Sequence, residues 1–220
     1  MISTALLDLD GTLTDPIEGI SHALDRAAQA VGLGPLTQAQ HRAGIGPPLA
    51  DVLADLGVPQ DRVEEGIHAY RAFYGETGYL ENRLYDGVLD ALAALRDVGV
   101  RLVLATSKPE PYARRIVEHF GVAPYLEHVA GATLDGTVAT KADVIARALS
   151  AVDVAAGPGV VMVGDRAHDV RGAAEHGIAC VGAAWGYGEP GELLDAGAVA
   201  LADSPADLVD VLRALGDGSR

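Results

Sequence analysis

One cysteine, Cys180, stands in 220 residues, so no disulfide can form within the chain, and a reducing compartment suits it. Basic residues are scarce as well: 16 against 31 acidic ones leave a net charge of −15. A surface of that sign argues against nucleic acid or an anionic membrane as partner, and any anionic ligand must be drawn in by local charge, a metal and a few lysines. No apolar run approaches the roughly 20 residues of a membrane span. Met1 leads straight into apolar sequence without a basic stretch and apolar h-region, so no secretion signal is expected. There is no internal repeat and no low-complexity segment. The expectation is a soluble, cytoplasmic chain, monomer or homodimer, without nucleic-acid or membrane partners.

What is present is apolar sequence, 49% of the chain, ample for a sizeable core. The stretch that organises the rest is Leu6-Leu7-Asp8-Leu9-Asp10-Gly11-Thr12-Leu13-Thr14-Asp15. The apolar run Ile2 to Leu7 reads as a buried strand, and it ends in two carboxylates one residue apart. Gly11 and Thr12 break the strand and start a turn. Asp8 and Asp10 leave the strand on the same side. Two carboxylates so close repel each other, and burial makes the repulsion worse. A hard divalent cation such as Mg²⁺ is an economical way to compensate.

From Asp15 to about Arg83 the pattern is wholly helical. Asp15-Pro16-Ile17-Glu18 predicts a capped helix start, and Ile17, Ile20, Leu24, Ala27, Ala28 and Val31 follow at helical spacing. Further helices are expected from Thr37 to Ala43, around Leu49 to Leu56, and from Pro59 through Tyr74. After Gly87 the rhythm changes to helix and strand in alternation. Strands are expected at Arg101 to Ala105, His128 to Ala130, Val160 to Val163 and Ile178 to Val181, with a last helix from Ser204 to about Leu215 and a frayed tail beyond. Apolar strands alternating with helices mean a parallel sheet covered on both faces. The expected division is therefore an α/β domain over 1–14 and 84–220, with a helical domain over 15–83 inserted into it.

In such sheets ligands bind beyond the carboxyl ends of the strands. The residues there are Asp8 and Asp10, then Thr106 and Ser107, then Asp165 and Asp169. Thr106 and Ser107 can cap the following helix or offer donors to phosphate oxygens at its positive end. Asp165 and Asp169 share a face if a helical turn starts between them. Lys141 opens a helix beside its positive dipole end, which points to an anionic neighbour. Lys108, nearer in sequence to Thr106, is its rival.

The order Asp8-Leu9-Asp10-Gly11-Thr12, then Thr106-Ser107-Lys108-Pro109, then Leu134-Asp135-Gly136-Thr137 with Lys141, then Val163-Gly164-Asp165-Arg166-Ala167-His168-Asp169 resembles the four signatures of the haloacid-dehalogenase-like (HAD) phosphohydrolases. The resemblance covers nearly the whole chain. It implies a Rossmann-like α/β core with a small helical C1-type cap. It implies phosphomonoester hydrolysis through an aspartyl-phosphate, with Asp8 as nucleophile and Asp10 as general acid and base. Thr106, Ser107 and Lys141 would hold the phosphate of a small phosphorylated metabolite. Asp8, the backbone carbonyl of Asp10 and Asp165 would hold Mg²⁺, and Asp169 would orient the metal's outer ligands or Lys141. Ile45-Gly46-Pro47-Pro48-Leu49, Tyr70-Arg71 and the stretch Glu81 to Gly87 resemble the phosphoglycolate-phosphatase-like branch, whose members are also described as 5′-nucleotidases. Asp86 stands where many relatives have Pro. Three competitors remain: a haloalkanoate dehalogenase, which has no use for an acid at Asp10; a phosphomutase, which needs a cation for a second phosphate; and a phospho-accepting regulatory domain, which has no room for the helical insert.

Overall fold

A computed structural model describes residues 1–218; Ser219 and Arg220, part of the tail expected to fray, lie outside the described residues. By packing the chain divides into two compact units, 1–15 with 84 onward, and 16–83.

The unit 16–83 is helical: α1 (Ile17–Ala30), α2 (Gln38–Ala43), α3 (Leu49–Asp55) and α4 (Val63–Phe73). Ala27, Val31, Leu53, Val58 and Val63 form its buried centre, with Leu33, Leu49, Leu56, Ile67 and Tyr70 around them. Thr37 starts α2 by accepting from the Gln40 amide at 3.3 Å, while Gln40 reaches back to the Thr37 amide at 2.8 Å. Arg62 closes the end of α1 by donating to the carbonyls of Val31 at 2.7 Å and Ala30 at 3.0 Å. The helix start differs from expectation. Pro16, one residue later than expected, occupies the N-cap position of α1, and the Asp15 carboxylate accepts from the Tyr187 hydroxyl.

The other unit is built on six parallel strands: β1 (Thr4–Leu7), β2 (Arg101–Pro109), β3 (His128–Ala132), β4 (Val160–Gly164), β5 (Ala179–Ala183) and β6 (Ala200–Ala202). Their order is β3-β2-β1-β4-β5-β6. β1 is central, with Leu6 opposite Val103 on one side and Met162 on the other. Six helices complete the unit: α5 (Val88–Asp97), α6 (Glu110–His119), α7 (Lys141–Ala151), α8 (Ala167–Glu175), α9 (Glu192–Ala196) and α10 (Pro205–Gly216). Leu6, Val103, Ala105 and Met162 pack with Val144 and Ile145 of α7 and Val170 of α8 into one cluster. The alternate residues Leu7, Leu102, Leu104 and Val163 are equally buried, so both faces of the sheet are covered. This is the α/β architecture the alternation implies. Among the described residues α9, β6 and the short strands Thr14–Asp15 and Arg83–Leu84 were not expected, and β2 runs past Ala105. Among the described residues no helix is long and apolar enough to cross a membrane.

The sheet order reverses at β1. The chain passes from β1 to β2 and β3 on one side, then crosses to β4 on the other. The carboxyl ends of β1 and β4 flank this reversal, which is where such folds bind ligands.

Candidate active site

Three strands deliver the polar clusters to this rim. Asp8 follows β1 directly, and its amide continues the pairing by donating to the Val163 carbonyl at 2.9 Å. The backbone then folds tightly: the amides of Leu13 and Thr14 both donate to the Leu9 carbonyl, at 2.8 and 2.9 Å. Gly11 takes φ +82° there, and a Cβ on it would stand 2.1 Å from Asp165 Oδ2. Only glycine lets the first loop pass so close to the Asp165 carboxylate.

Lys141, the first residue of α7, reaches the rim with its side chain almost fully buried. Its ammonium lies 2.9 Å from Asp8 Oδ1 and 2.7 Å from Asp169 Oδ1, and donates to the Ala105 carbonyl at 3.0 Å. Three donors meet three acceptors. Thr140 and Asp143 cap the start of α7 reciprocally, which fixes where Lys141 leaves the backbone. A Cβ on Gly172 of α8 would lie 2.9 Å from Lys141 Cβ, so glycine is what admits the lysine stem. Lys108 lies here too, rather than serving as a substitute for Lys141: its ammonium pairs with Asp10 Oδ2. The Lys108 amide donates to Thr106 Oγ1 at 3.2 Å. Thr106 is fully buried and Ser107 half-buried at the end of β2.

The acids sit in different electrostatic surroundings. Burial works against the charged form of Asp8, but Lys141, His168 and the Thr106 hydroxyl overcome it and hold the carboxyl below its usual range. Burial dominates at Asp10, where Lys108 only partly offsets it, and that carboxyl lies above its usual range. Asp165 is pushed well above by burial and by the neighbouring charges of Asp169 and Asp8. Its partners are neutral: the Tyr187 amide at 2.7 Å on Oδ2 and the Thr12 hydroxyl at 3.4 Å on Oδ1. Burial disfavours the Lys141 ammonium, yet Asp169 and Asp8 hold it charged, above the ordinary lysine range.

A cation fits this donor set. Asp8, Asp165 and Asp169 are all buried, and among the described residues Lys141 is the ammonium that answers them. Ligand atoms from Asp8, His168 and Asp169 lie within 4.8 Å of one another, and Lys141 already stands against two of them. Asp165, beside them, has no ion pair with a lysine or arginine among the described residues, and Arg166 only partly offsets its surroundings. Hard oxygen donors in excess of positive charge are what a Mg²⁺ site requires.

Asp8, Asp10, Thr106, Ser107, Lys141, Asp165 and Asp169 thus all lie at one end of the sheet. Three residues there were not singled out in the sequence. His168 has Nε2 buried without a hydrogen-bond partner among the described residues. In the loop after β5, Trp185 Nε1 donates to the Thr12 carbonyl at 3.0 Å, and the Tyr187 amide holds Asp165. The run Trp185-Gly186-Tyr187-Gly188 was the available signal, since a Cβ on Gly186 would lie 2.3 Å from Asp165 Cβ.

Known proteins resemble this chain in sequence and fold. Residues 5–183 match the haloacid dehalogenase-like hydrolase family. The tyrosine-protein kinase PtkA of Mycobacterium tuberculosis is 44% identical over 215 residues, which span 96% of this chain and 72% of that protein. A 5′-nucleotidase of Pseudomonas aeruginosa is 39% identical over 189 residues, 86% of this chain and 85% of its own. The crystal structure of a predicted phosphatase from Clostridium acetobutylicum superposes with a TM-score of 0.92 at 33% identity, covering 97% of this chain and 99% of that one. Motif order, strand-end geometry and these likenesses agree, and the chain belongs to the haloacid dehalogenase-like hydrolase family.

Proposed function

We propose that the protein is a Mg²⁺-dependent phosphomonoester hydrolase that works through a phosphoryl group carried on Asp8. One observation carries this reading: two buried acids two residues apart, each beside its own lysine, are shifted in opposite directions, Asp8 below and Asp10 above the usual carboxyl range. A nucleophile has to be ionised, and a general acid has to hold a proton.

The Asp8 carboxylate attacks phosphorus, the bond from phosphorus to the leaving oxygen breaks, and that oxygen takes the Asp10 proton. Lys141, Thr106 and Ser107 stabilise the non-bridging oxygens. A water then attacks the same phosphorus, gives its proton to Asp10, and the bond to Asp8 breaks. Inorganic phosphate leaves and both acids return to their starting states. Asp169 keeps Lys141 in place through the ion pair at 2.7 Å. Mg²⁺, held by Asp8, the Asp10 carbonyl and Asp165, supplies further neutralisation of the phosphate charge when bound.

The substrate in this reading is a small soluble phosphate ester, phosphoglycolate or a nucleoside monophosphate. Residues 16–83 contribute none of the side chains above and are assigned the choice of leaving group. A second reading is favoured by the name of the mycobacterial relative. A phosphoryl group on Asp8 can pass to a hydroxyl instead of water, and the chain is then a phosphotransferase. Phosphate release from phosphoglycolate, nucleoside monophosphates and sugar phosphates, with and without Mg²⁺, tests the hydrolase. Mg²⁺-dependent release concentrated on one class is expected. Transfer from ATP to a tyrosine peptide, with no release from any ester, would put the transferase in its place.

A further inference from the structure

The pairing of Lys108 with Asp10 has consequences beyond charge balance. Asp10 is the group that must give and take a proton, and it has two oxygens with different surroundings. Oδ2 is paired with the Lys108 ammonium, the two side chains being only 12% and 5% exposed. Oδ1 is buried and has no hydrogen-bond partner among the described residues. An ion pair on one oxygen holds the carboxyl in one orientation and leaves the other oxygen as the one available for proton exchange.

The backbone shows how Lys108 comes to be there. β2 pairs regularly with β3 up to Thr106 opposite Gly131, then shifts register before Pro109 meets Ala132. A bulge of this kind re-aims the side chains within it, and here those are Ser107 and Lys108. The displaced backbone presses on β3 at Gly131, where a Cβ would stand 2.7 Å from the Lys108 carbonyl oxygen and 2.6 Å from Glu110 Cα. Gly131 therefore makes room for the bulge. The Lys108 amide is held in turn by Thr106 Oγ1, so one strand end fixes both a phosphate donor and the partner of the acid.

We propose that Lys108 is the positioning residue of Asp10: it anchors Oδ2 and thereby presents Oδ1 as the atom that exchanges protons with the leaving oxygen and with water. This role rests on the covalent hydrolase reading above. It makes a demand that a structural role does not. Proton donation matters for an alkoxide leaving group and hardly at all for 4-nitrophenolate, which departs without a proton.

The test is the single-turnover rate of phosphoryl-enzyme formation, in Mg²⁺, with 4-nitrophenyl phosphate and with an alkyl phosphate, for the unsubstituted protein, Lys108→Met and Lys108→Arg. With Lys108→Met the alkyl ester is expected to slow by about 10²-fold, the scale of general-acid catalysis, and the aryl ester by less than about 3-fold. Lys108→Arg, which can still pair with Oδ2, recovers part of the loss. Equal slowing of both esters overturns the role, and so does a rise in KM alone, which would make Lys108 a substrate ligand. Absence of any phosphoryl-enzyme in the unsubstituted protein overturns the covalent reading and this role together.

Discussion

At Lys141 three acceptors converge on one ammonium, and its removal leaves Asp8 and Asp169 buried and facing each other without a counter-charge. Breaking a buried pair from one side typically costs about 3–5 kcal/mol. Lys141→Met is therefore expected to lower stability by that order in urea unfolding without Mg²⁺, and to abolish phosphate release. A loss below about 1 kcal/mol would mean that the ion pairs at 2.7 and 2.9 Å do not hold the rim together. Asp165 behaves in the opposite sense. Its folded carboxyl lies above its unfolded value, so the folded state binds its proton more tightly. In metal-free protein that contribution is present below the unfolded value of about 3.9 and is lost as pH rises from there through the folded value. Asp165→Asn should gain on the unsubstituted protein across that window when both are unfolded in chelator, and a gap that narrows with rising pH would contradict the assignment. Asp8, Asp10 and Asp165 were legible in the sequence because each ends an apolar run. The division of labour between Lys108 and Lys141 was not, since it depends on a bulge in β2 and a glycine in α8. Tyr187 was hidden for another reason: what it gives to Asp165 is a backbone amide.

The helix α8 carries Asp169, and its first turn is tied down from a neighbouring element. Glu192 Oε1 of α9 accepts from the Ala167 amide at 2.7 Å and from Arg166 Nε at 3.0 Å, while Oε2 accepts from the Glu189 amide at 2.9 Å. Burial opposes the charge of Glu192, but these donors prevail and hold it below its usual range. The stabilisation is present above the unfolded value of about 4.3 and is lost as pH falls through the folded value. Glu192→Gln is expected to cost about 1–3 kcal/mol near neutral pH and nothing at the acid end, read from urea midpoints. A cost independent of pH would show that the charge is not what matters. Elements with strong periodicity, such as α1, α7 and β4, were legible in the sequence. β6, Ala200–Ala202, was not: its alanines carry no alternation, and β5 supplies the pairing. Nor was α9, a five-residue helix between two left-handed glycines. The bond from the Tyr187 hydroxyl to the Asp15 carboxylate was not legible either, since its partners lie 172 residues apart in sequence.

Over the whole molecule, 31 acidic residues face 16 basic ones, so the net charge of −15 repels itself. Two effects of added MgCl₂ can be separated. Screening acts on the whole surface and is reproduced by NaCl at matched ionic strength. In the proposed reading, binding at Asp165 is specific and would contribute about 2.7 kcal/mol at 100-fold over Kd. Thermal unfolding should therefore show a Mg²⁺ increment above the NaCl control, and Asp165→Asn should lose most of it. An increment that NaCl reproduces in full would remove the metal from the site.

The covalent role of Asp8 stands or falls on one measurement. The protein is mixed with substrate and Mg²⁺, quenched in acid within a turnover, and the phosphoryl group is located by peptide mass mapping. The expected result is a hydroxylamine-labile phosphoryl group on the peptide containing Asp8, and none in Asp8→Asn, which remains folded and inactive. Turnover above a few per cent in Asp8→Asn, or a phosphoryl group on any other residue, would contradict it.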